Sequence, residues 1–285
     1  MGFLSRGWSL LALSQSIAYS WALSNTPTPG VTEVDLISPR NETYPPSPLT
    51  PFVIAIQNPS LLSSTHPRIF YDLVQYNSSS YNGVTGSIID LPKINYTSSD
   101  PYFLYWSIDH LDNVEGTFMF AWELHMRNCT YDSESDSVTF GTFGQRNNQV
   151  HFSTKKGASP PDLAAATEPD ACDDTQAQAV YVSDLQAVAP NEILSLPTGE
   201  TWGASSCAAA LETWPTPSPC RVKIDAPAAA SISAALTSAA CANPLRTGMS
   251  CPTPSAKNAA SSRHFPLGGA WILAFTNTLL AYSLA

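Results

Sequence analysis

Phe118-Met119-Phe120-Ala121-Trp122-Glu123-Leu124-His125-Met126-Arg127 decides the fold class. Its even positions are Phe, Phe, Trp, Leu and Met, and its odd positions end in Glu, His and Arg. Successive side chains of a strand point to opposite faces, so this period of two predicts a strand with one face in a core and one face wet. Similar runs lie around it. Thr32, Val34 and Leu36 alternate with Glu33 and Asp35, Phe52 to Ile56 is a short buried run, and Ile69, Tyr71 and Leu73 alternate again. Further strands are expected over 102–108, 116–129, 137–143 and 149–153. Connectors rich in Pro or Asn separate the runs, such as Pro45-Pro46-Ser47-Pro48 and Asn77 to Asn82. Short strands at this spacing predict a mainly β chain, an antiparallel β-sandwich of immunoglobulin-like type. One residue conflicts with the pattern. Asn128 shares the inward parity yet heads a glycosylation sequon, so either the strand ends or bulges before it, or the sequon is unused.

The second half differs in character. Residues 156–178 read as a long polar loop, and strands are expected at 180–185 and 221–225. Asp225 is placed to cap an Ala-rich helix running through Pro227, Ile232, Leu236 and Ala240. The expectation is one continuous domain, 25–251, with a sheet-rich half and a stapled half folded onto it. The composition shift near 156 leaves two domains as the alternative.

Both ends look removable. Arg6 precedes an uncharged, mostly apolar run over 7–24, and Ala22-Leu23-Ser24 has small residues at the −3 and −1 positions, so 1–24 reads as a signal peptide. Leu267 to Ala285 is uncharged and apolar, behind a polar spacer and the triplet Asn258-Ala259-Ala260. That layout is a glycosylphosphatidylinositol (GPI) attachment signal. It predicts a short Pro/Ser/Ala stalk over 252–262, lipid attachment at Asn258 with Ala260 or Ser255 as rivals, and a removed tail over 263–285. A spanning helix fits less well, because the nearest cations, Arg263 and His264, lie on the side that would face outward.

Six cysteines, Cys129, Cys172, Cys207, Cys220, Cys241 and Cys251, all fall between the two end segments. An even number in a secretory context reads as three disulfides. Proximity favours Cys207–Cys220 and Cys241–Cys251, which leaves Cys129–Cys172. Sequons stand at Asn41, Asn77, Asn95 and Asn128 and agree with a secretory route. The chain has 13 Lys and Arg against 23 Asp and Glu, a net charge of −10. This acidity argues against a nucleic-acid partner and against electrostatic docking on anionic lipid.

Val34-Asp35-Leu36, Pro39-Arg40-Asn41-Glu42-Thr43-Tyr44, Pro51-Phe52-Val53 and Gln57-Asn58-Pro59, with the Phe118–Trp122 strand and the late cysteines, resemble one family. It is the set of secreted, often GPI-anchored fungal proteins known only as a domain of unknown function. The resemblance covers about residues 30 to 252, and Pro39–Tyr44 is its most specific part. It implies a fungal cell surface or wall and no assigned catalytic residue.

Motifs for chemistry are sparse. The chain has no G-x-S-x-G elbow, no H-E-x-x-H and no Walker A pattern. A copper-dependent polysaccharide oxygenase needs a histidine at the mature N-terminus, and the first histidine here is His66. Glu123 and His125 lie two apart on the wet side of the longest strand and can share a proton or a metal, although two ligands do not make a site. The acidic turn Asp109 to Gly116 offers oxygen ligands for calcium, without EF-hand spacing. Asp109, Asp112, Glu115 and Glu123 are the carboxylates to inspect for a glycosidase pair. Trp202 and Trp214 fall in irregular segments and are candidates for stacking on sugar rings, whereas Trp106 and Trp122 read as core. The expected function is a non-enzymatic, GPI-anchored surface or wall glycoprotein, partnered by the membrane through its anchor and by wall polysaccharide, with no cofactor and no metal. The alternatives are a carbohydrate-active enzyme and a metal-binding surface protein on the same scaffold.

Overall fold

The structure, a computed structural model, describes residues 29–77, 80–91, 100–132, 134, 137–143, 147–172, 176–187, 206–210, 214–243 and 251. Eleven strands are described: β1 (Gly30–Ser38), β2 (Thr43–Tyr44), β3 (Pro51–Gln57), β4 (Arg68–Asn77), β5 (Ser80–Asp90), β6 (Tyr102–Ser107), β7 (Gly116–Asp132), β8 (Ser137–Phe143), β9 (Asn147–Thr154), β10 (Ala177–Ala187) and β11 (Ser206–Ala210). Two α-helices accompany them, α1 (Pro59–Ser63) and α2 (Ala226–Ala242). Sheet A runs β11-β10-β1-β3-β6. Sheet B runs β2-β9-β7-β4-β5, with β8 paired to the far half of β7. The pairings are antiparallel except for the short parallel contact of β2 with β9.

The two sheets face each other across an aromatic layer. Phe52, Ile54 and Ile56 of sheet A meet Phe118, Phe120, Trp122, Leu124, Ile69 and Leu73 of sheet B, all fully buried. The Phe52 ring lies 5.0 Å from that of Phe120 and 5.7 Å from that of Trp106. Such offset and tilted ring pairs add to the area term of burial. Trp106 and Trp122 thus serve the core, as their positions on strands imply.

Along β7 the expected parity holds through Trp122, Leu124 and Met126, each 0% exposed, and then shifts. The strand pairs with β9 through Glu123 and with β4 through His125, and from Met126 onward it pairs with β8. Cys129 is the next buried residue, and Asn128 is half-buried. The strand neither ends before Asn128 nor keeps it in the core.

The outer face of sheet A is the unexpected part. Ile37, Val53 and Ala55 point away from the inter-sheet layer, yet they form a second core with Leu163, Ala166, Val222, Ile224, Ile232 and Leu236. Those six come from the second half of the chain, which lies over sheet A as a cover. Helix α2 supplies Ile232, Leu236 and Ala240, spaced four apart and therefore on one face. Asp225 caps it by accepting from the Ala228 N–H at 2.8 Å, as its sequence position implies.

Several expectations are corrected. Residues 221–225 do not form a strand. A 3-10 turn over Pro219–Arg221 leads into an extended segment whose Val222 and Ile224 insert into the second core. The Asn-rich stretch after Asn77 is not a plain connector but the start of β5, an edge strand with a register shift near Leu73 and Val74. β11 was not expected. Cys241–Cys251 forms as proximity suggests, but Cys220 bonds to Cys172. Cys207–Cys220 and Cys129–Cys172 are therefore not made. The 3-10 turn that carries Cys220 packs on sheet A beside the loop that carries Cys172, and proximity in space overrides proximity in sequence. Cys129 is disulfide-bonded as well.

Candidate functional site

Pro39–Tyr44 works as a clamp. Tyr44 is buried, and its hydroxyl accepts from the Arg40 backbone N–H at 2.9 Å. The Arg40 guanidinium donates to the carbonyls of Ala166, at 3.1 Å, and Ala171. It therefore ties the end of β1 to the cover. Thr167 is a second tether. Its hydroxyl accepts from the Ile224 N–H at 3.0 Å, and its carbonyl accepts from Lys223 Nζ. The cations of the clamp thus satisfy backbone carbonyls that the cover would otherwise bury unpaired.

Under the cover lies a pair of acids that the sequence reading did not single out. Glu33 and Asp35 are only 5% and 1% exposed. They sit two apart on β1, so both point to the outer face of sheet A. Glu33 Oε1 accepts from the Ser218 N–H of the cover at 2.7 Å. Gln57 Nε2 donates to Asp35 Oδ2 at 2.9 Å and to the Ser218 carbonyl at 3.3 Å. Asp35 Oδ1 is buried and receives no hydrogen bond. Burial, a hydrogen bond to Glu33 and repulsion from the Glu33 charge, in that order, push the Asp35 pKa far above the usual carboxylate range. A protonated Asp35 that donates to Glu33 removes the orphaned oxygen and the repulsion together. The acids, Gln57 and Ser218 form one polar clasp between sheet and cover. A carboxylate pair two apart inside an otherwise buried strand is the signal that would have found them. Alternation alone assigns them to a wet face.

The carboxylates singled out from the sequence each hold a local partner. Glu123 and His125 do meet, with Oε2 and Nε2 2.9 Å apart, and the His125 ring lies 4.3 Å from that of Phe70. Asp109 pairs with its neighbour His110 at 3.0 Å. Asp112 accepts from the Asn113 side chain at 3.0 Å, and Glu115 accepts from the Lys156 backbone N–H at 2.6 Å. Glu115 lies eight residue steps before Glu123, roughly 27 Å along the strand direction. Among the described residues no group of three or more His, Cys, Asp or Glu side chains is placed to hold a metal ion. Asn41 is exposed, and Trp214 is 42% exposed at the start of the cover segment. Asn77 ends β4. Trp202, Asn95 and Asn258 lie outside the described residues.

The outer face of sheet B carries no cover of described chain. Tyr76, Thr117 and Ser153 form one row across β4, β7 and β9, and Phe70 and Glu123 form another. Tyr76 is fixed by its hydroxyl, which lies 3.1 Å from His151 Nδ1, with the two rings edge to face at 5.4 Å. At the end of sheet B, where Gln75, Asn82 and Gly116 share the core-side parity of Phe118, a shallow depression of about 400 Å³ opens between Gln75, Tyr76, Asn82, Glu115, Gly116 and Thr117.

No curated protein and no solved structure matches this chain. A family model described as a domain of unknown function, DUF7136, matches residues 27–251. That span takes in the clamp, both sheets, the buried acid pair, the cover and all six cysteines, and it stops short of both apolar ends. The chain belongs to the DUF7136 family.

Proposed function

We propose that this chain is a non-enzymatic glycoprotein of the fungal cell surface, held at the outer face of the plasma membrane or in the wall through a GPI anchor near Asn258, and that it contacts wall polysaccharide. The observation that carries the reading is the inequality of the two outer faces. The face of sheet A is covered by the second half of the chain, while the face of sheet B has no cover among the described residues and carries rings and hydrogen-bonding groups. Sugar rings stack on aromatic faces and are oriented by such groups. The carboxyl pair Glu33 and Asp35 lies beneath the cover and out of a sugar's reach, which disfavours the carbohydrate-active enzyme. The carboxylates of the acidic turn hold local partners, which disfavours the metal-binding alternative. Disulfides agree with an extracellular setting.

The test is sedimentation of the full, processed chain with insoluble β-glucan, chitin and mannan, with an assay of reducing sugar in the supernatant. Co-sedimentation without sugar release is the expected result, and release of sugar would overturn the reading. The anchor is tested separately. Phosphatidylinositol-specific phospholipase C is expected to free the protein from intact cells, and retention after treatment counts against the anchor.

A further inference from the structure

Asn128-Cys129-Thr130 is a sequon inside a strand whose parity, read from Phe118, aims Asn128 at the core. The fold of β7 removes that conflict. Through Met126 the even positions of the strand are the buried ones, and past it the buried residue is odd, Cys129 at 0% exposure. The change falls where the partners change. β7 pairs with β4 as far as His125 and with β9 as far as Glu123, and from Met126 to Asp132 its partner among the described residues is β8. In that ribbon Asn128 lies directly opposite Gly141. Opposed residues of an antiparallel pair hold their Cβ atoms about 5 Å apart on one face of the sheet. Gly141 is exposed, and a Cβ built on it would meet nothing within 4 Å. The face that Asn128 shares with Gly141 is therefore open beside it, and Asn128 itself is half-buried rather than buried. A sugar chain on Asn128 has room to rise over the missing side chain of Gly141. Any larger residue at 141 would stand in that space.

We infer that Asn128 carries an N-linked glycan and that this glycan lies over the Gly141 side of the β7–β8 ribbon. The inference deepens the glycoprotein reading of the proposed function and rests on it. In the reaction the side-chain nitrogen of Asn128 bonds to C1 of the first sugar of a lipid-linked oligosaccharyl pyrophosphate. The sugar–phosphate bond breaks, the lipid pyrophosphate leaves with its electron pair, and the nitrogen gives up one proton to base. Transfer takes place on the chain before β7 pairs, so the finished fold has to leave room for the product and not for the enzyme. That is what Gly141 provides. Asn41, exposed at the clamp, is the internal reference, because its surroundings pose no such problem.

Glycopeptide mapping of the full chain, secreted by a cell that N-glycosylates its proteins, tests the inference. Peptide N-glycosidase F in heavy-oxygen water turns each asparagine that bore a glycan into a labelled aspartate. The label is expected at Asn128 as well as at Asn41. Asn128→Gln and Thr130→Ala should each lower the mass of the secreted chain by one glycan, and Thr130→Ala keeps the test decisive if Asn128→Gln is not secreted. Endoglycosidase H should trim the Asn128 glycan on the native protein at a rate similar to that at Asn41. Label at Asn41 without label at Asn128 overturns the inference and leaves the proposed function standing. A glycan at Asn128 that resists trimming until the chain is unfolded overturns its placement over the open face. Label at no asparagine sinks the glycoprotein reading itself.

Discussion

Sheet A and sheet B are built from the same kind of strand, yet their outer faces have opposite fates. β1 and β3 are buried on both sides, because α2 and the extended segment before it lie over sheet A. β4 and β7 keep the simple alternation, with one side in the core and the other half-exposed. The consequence is chemical. Glu123, on the open face, forms an ordinary partly exposed pair with His125. Glu33 and Asp35, on the covered face, are shut away from water, and burial holds Asp35 well above the usual carboxylate range. The same residue type at the same strand parity is a solvated group in one sheet and part of a buried clasp in the other. What covers the second face decides.

Removing what holds the cover should separate the two faces most. The Cys172–Cys220 bond spans 48 residues and ties the cover to itself over sheet A. Replacing both cysteines by Ala is expected to cost roughly 4 kcal/mol, against roughly 3 for Cys241 and Cys251, whose separation is 10. Urea unfolding measures both, and a larger loss from the shorter loop would contradict the cover's importance. Peptide mapping sharpens this. With four cysteines paired among themselves and Cys129 bonded too, elimination predicts a Cys129–Cys207 linked peptide. Any other partner for Cys129 refutes it.

A charge placed on each face gives the next contrast. Leu236→Asp sets a carboxylate between α2 and sheet A, where Leu236 is 6% exposed, and is expected to cost more than about 3 kcal/mol. Ile88→Asp, at a position 49% exposed on β5, should stay within about 0.5 kcal/mol. Equal losses would mean that the cover is not packed as described.

The clasp itself gives a smaller contrast. Glu33→Ala leaves the Ser218 N–H unpaired under the cover and should cost about 2 kcal/mol. Glu123→Ala should change stability by less than about 1 kcal/mol. Similar values from chemical denaturation would erase the difference between the faces.

The acid pair also makes stability depend on pH in a direction opposite to that of a salt-bridged carboxylate. Asp35 is raised from 3.8 to about 9, chiefly by burial. The folded state then binds the proton that the unfolded state releases. Its contribution is complete below the unfolded value and is lost as pH rises through the folded one, at up to about 1.4 kcal/mol per pH unit. Asp35→Asn keeps a donor toward Glu33 and does not ionise. Between pH 5 and pH 8.5 the native chain is expected to lose melting temperature relative to Asp35→Asn, and parallel curves for the two proteins would exclude the shared proton.

Much of the molecule is legible in its residues. The period of two in Phe118–Arg127, with the shorter runs around it, suffices for a mainly β chain with an inter-sheet core, because strand geometry ties parity to face. Asp225 announces the start of α2, because a carboxylate there satisfies an otherwise unpaired N–H of the first turn. β5 was not legible. Its Gly, Asn and Ser content resembles a turn, and only hydrogen bonding to β4 makes it a strand. The contact of Tyr76 with His151 was not legible either, since the two are 75 residues apart.

The sequence alone determined most of the strands, their inward faces, the capped helix and the even set of cysteines, since each of these rests on chemistry between near neighbours in the chain. Tertiary structure alone decided which outer face is sealed, which cysteines meet and which carboxylates lose water. Those outcomes depend on contacts such as Ser218 with Glu33, 185 residues apart. A local pattern defines the two faces of a strand but carries no information about the distant segment that comes to lie on either of them.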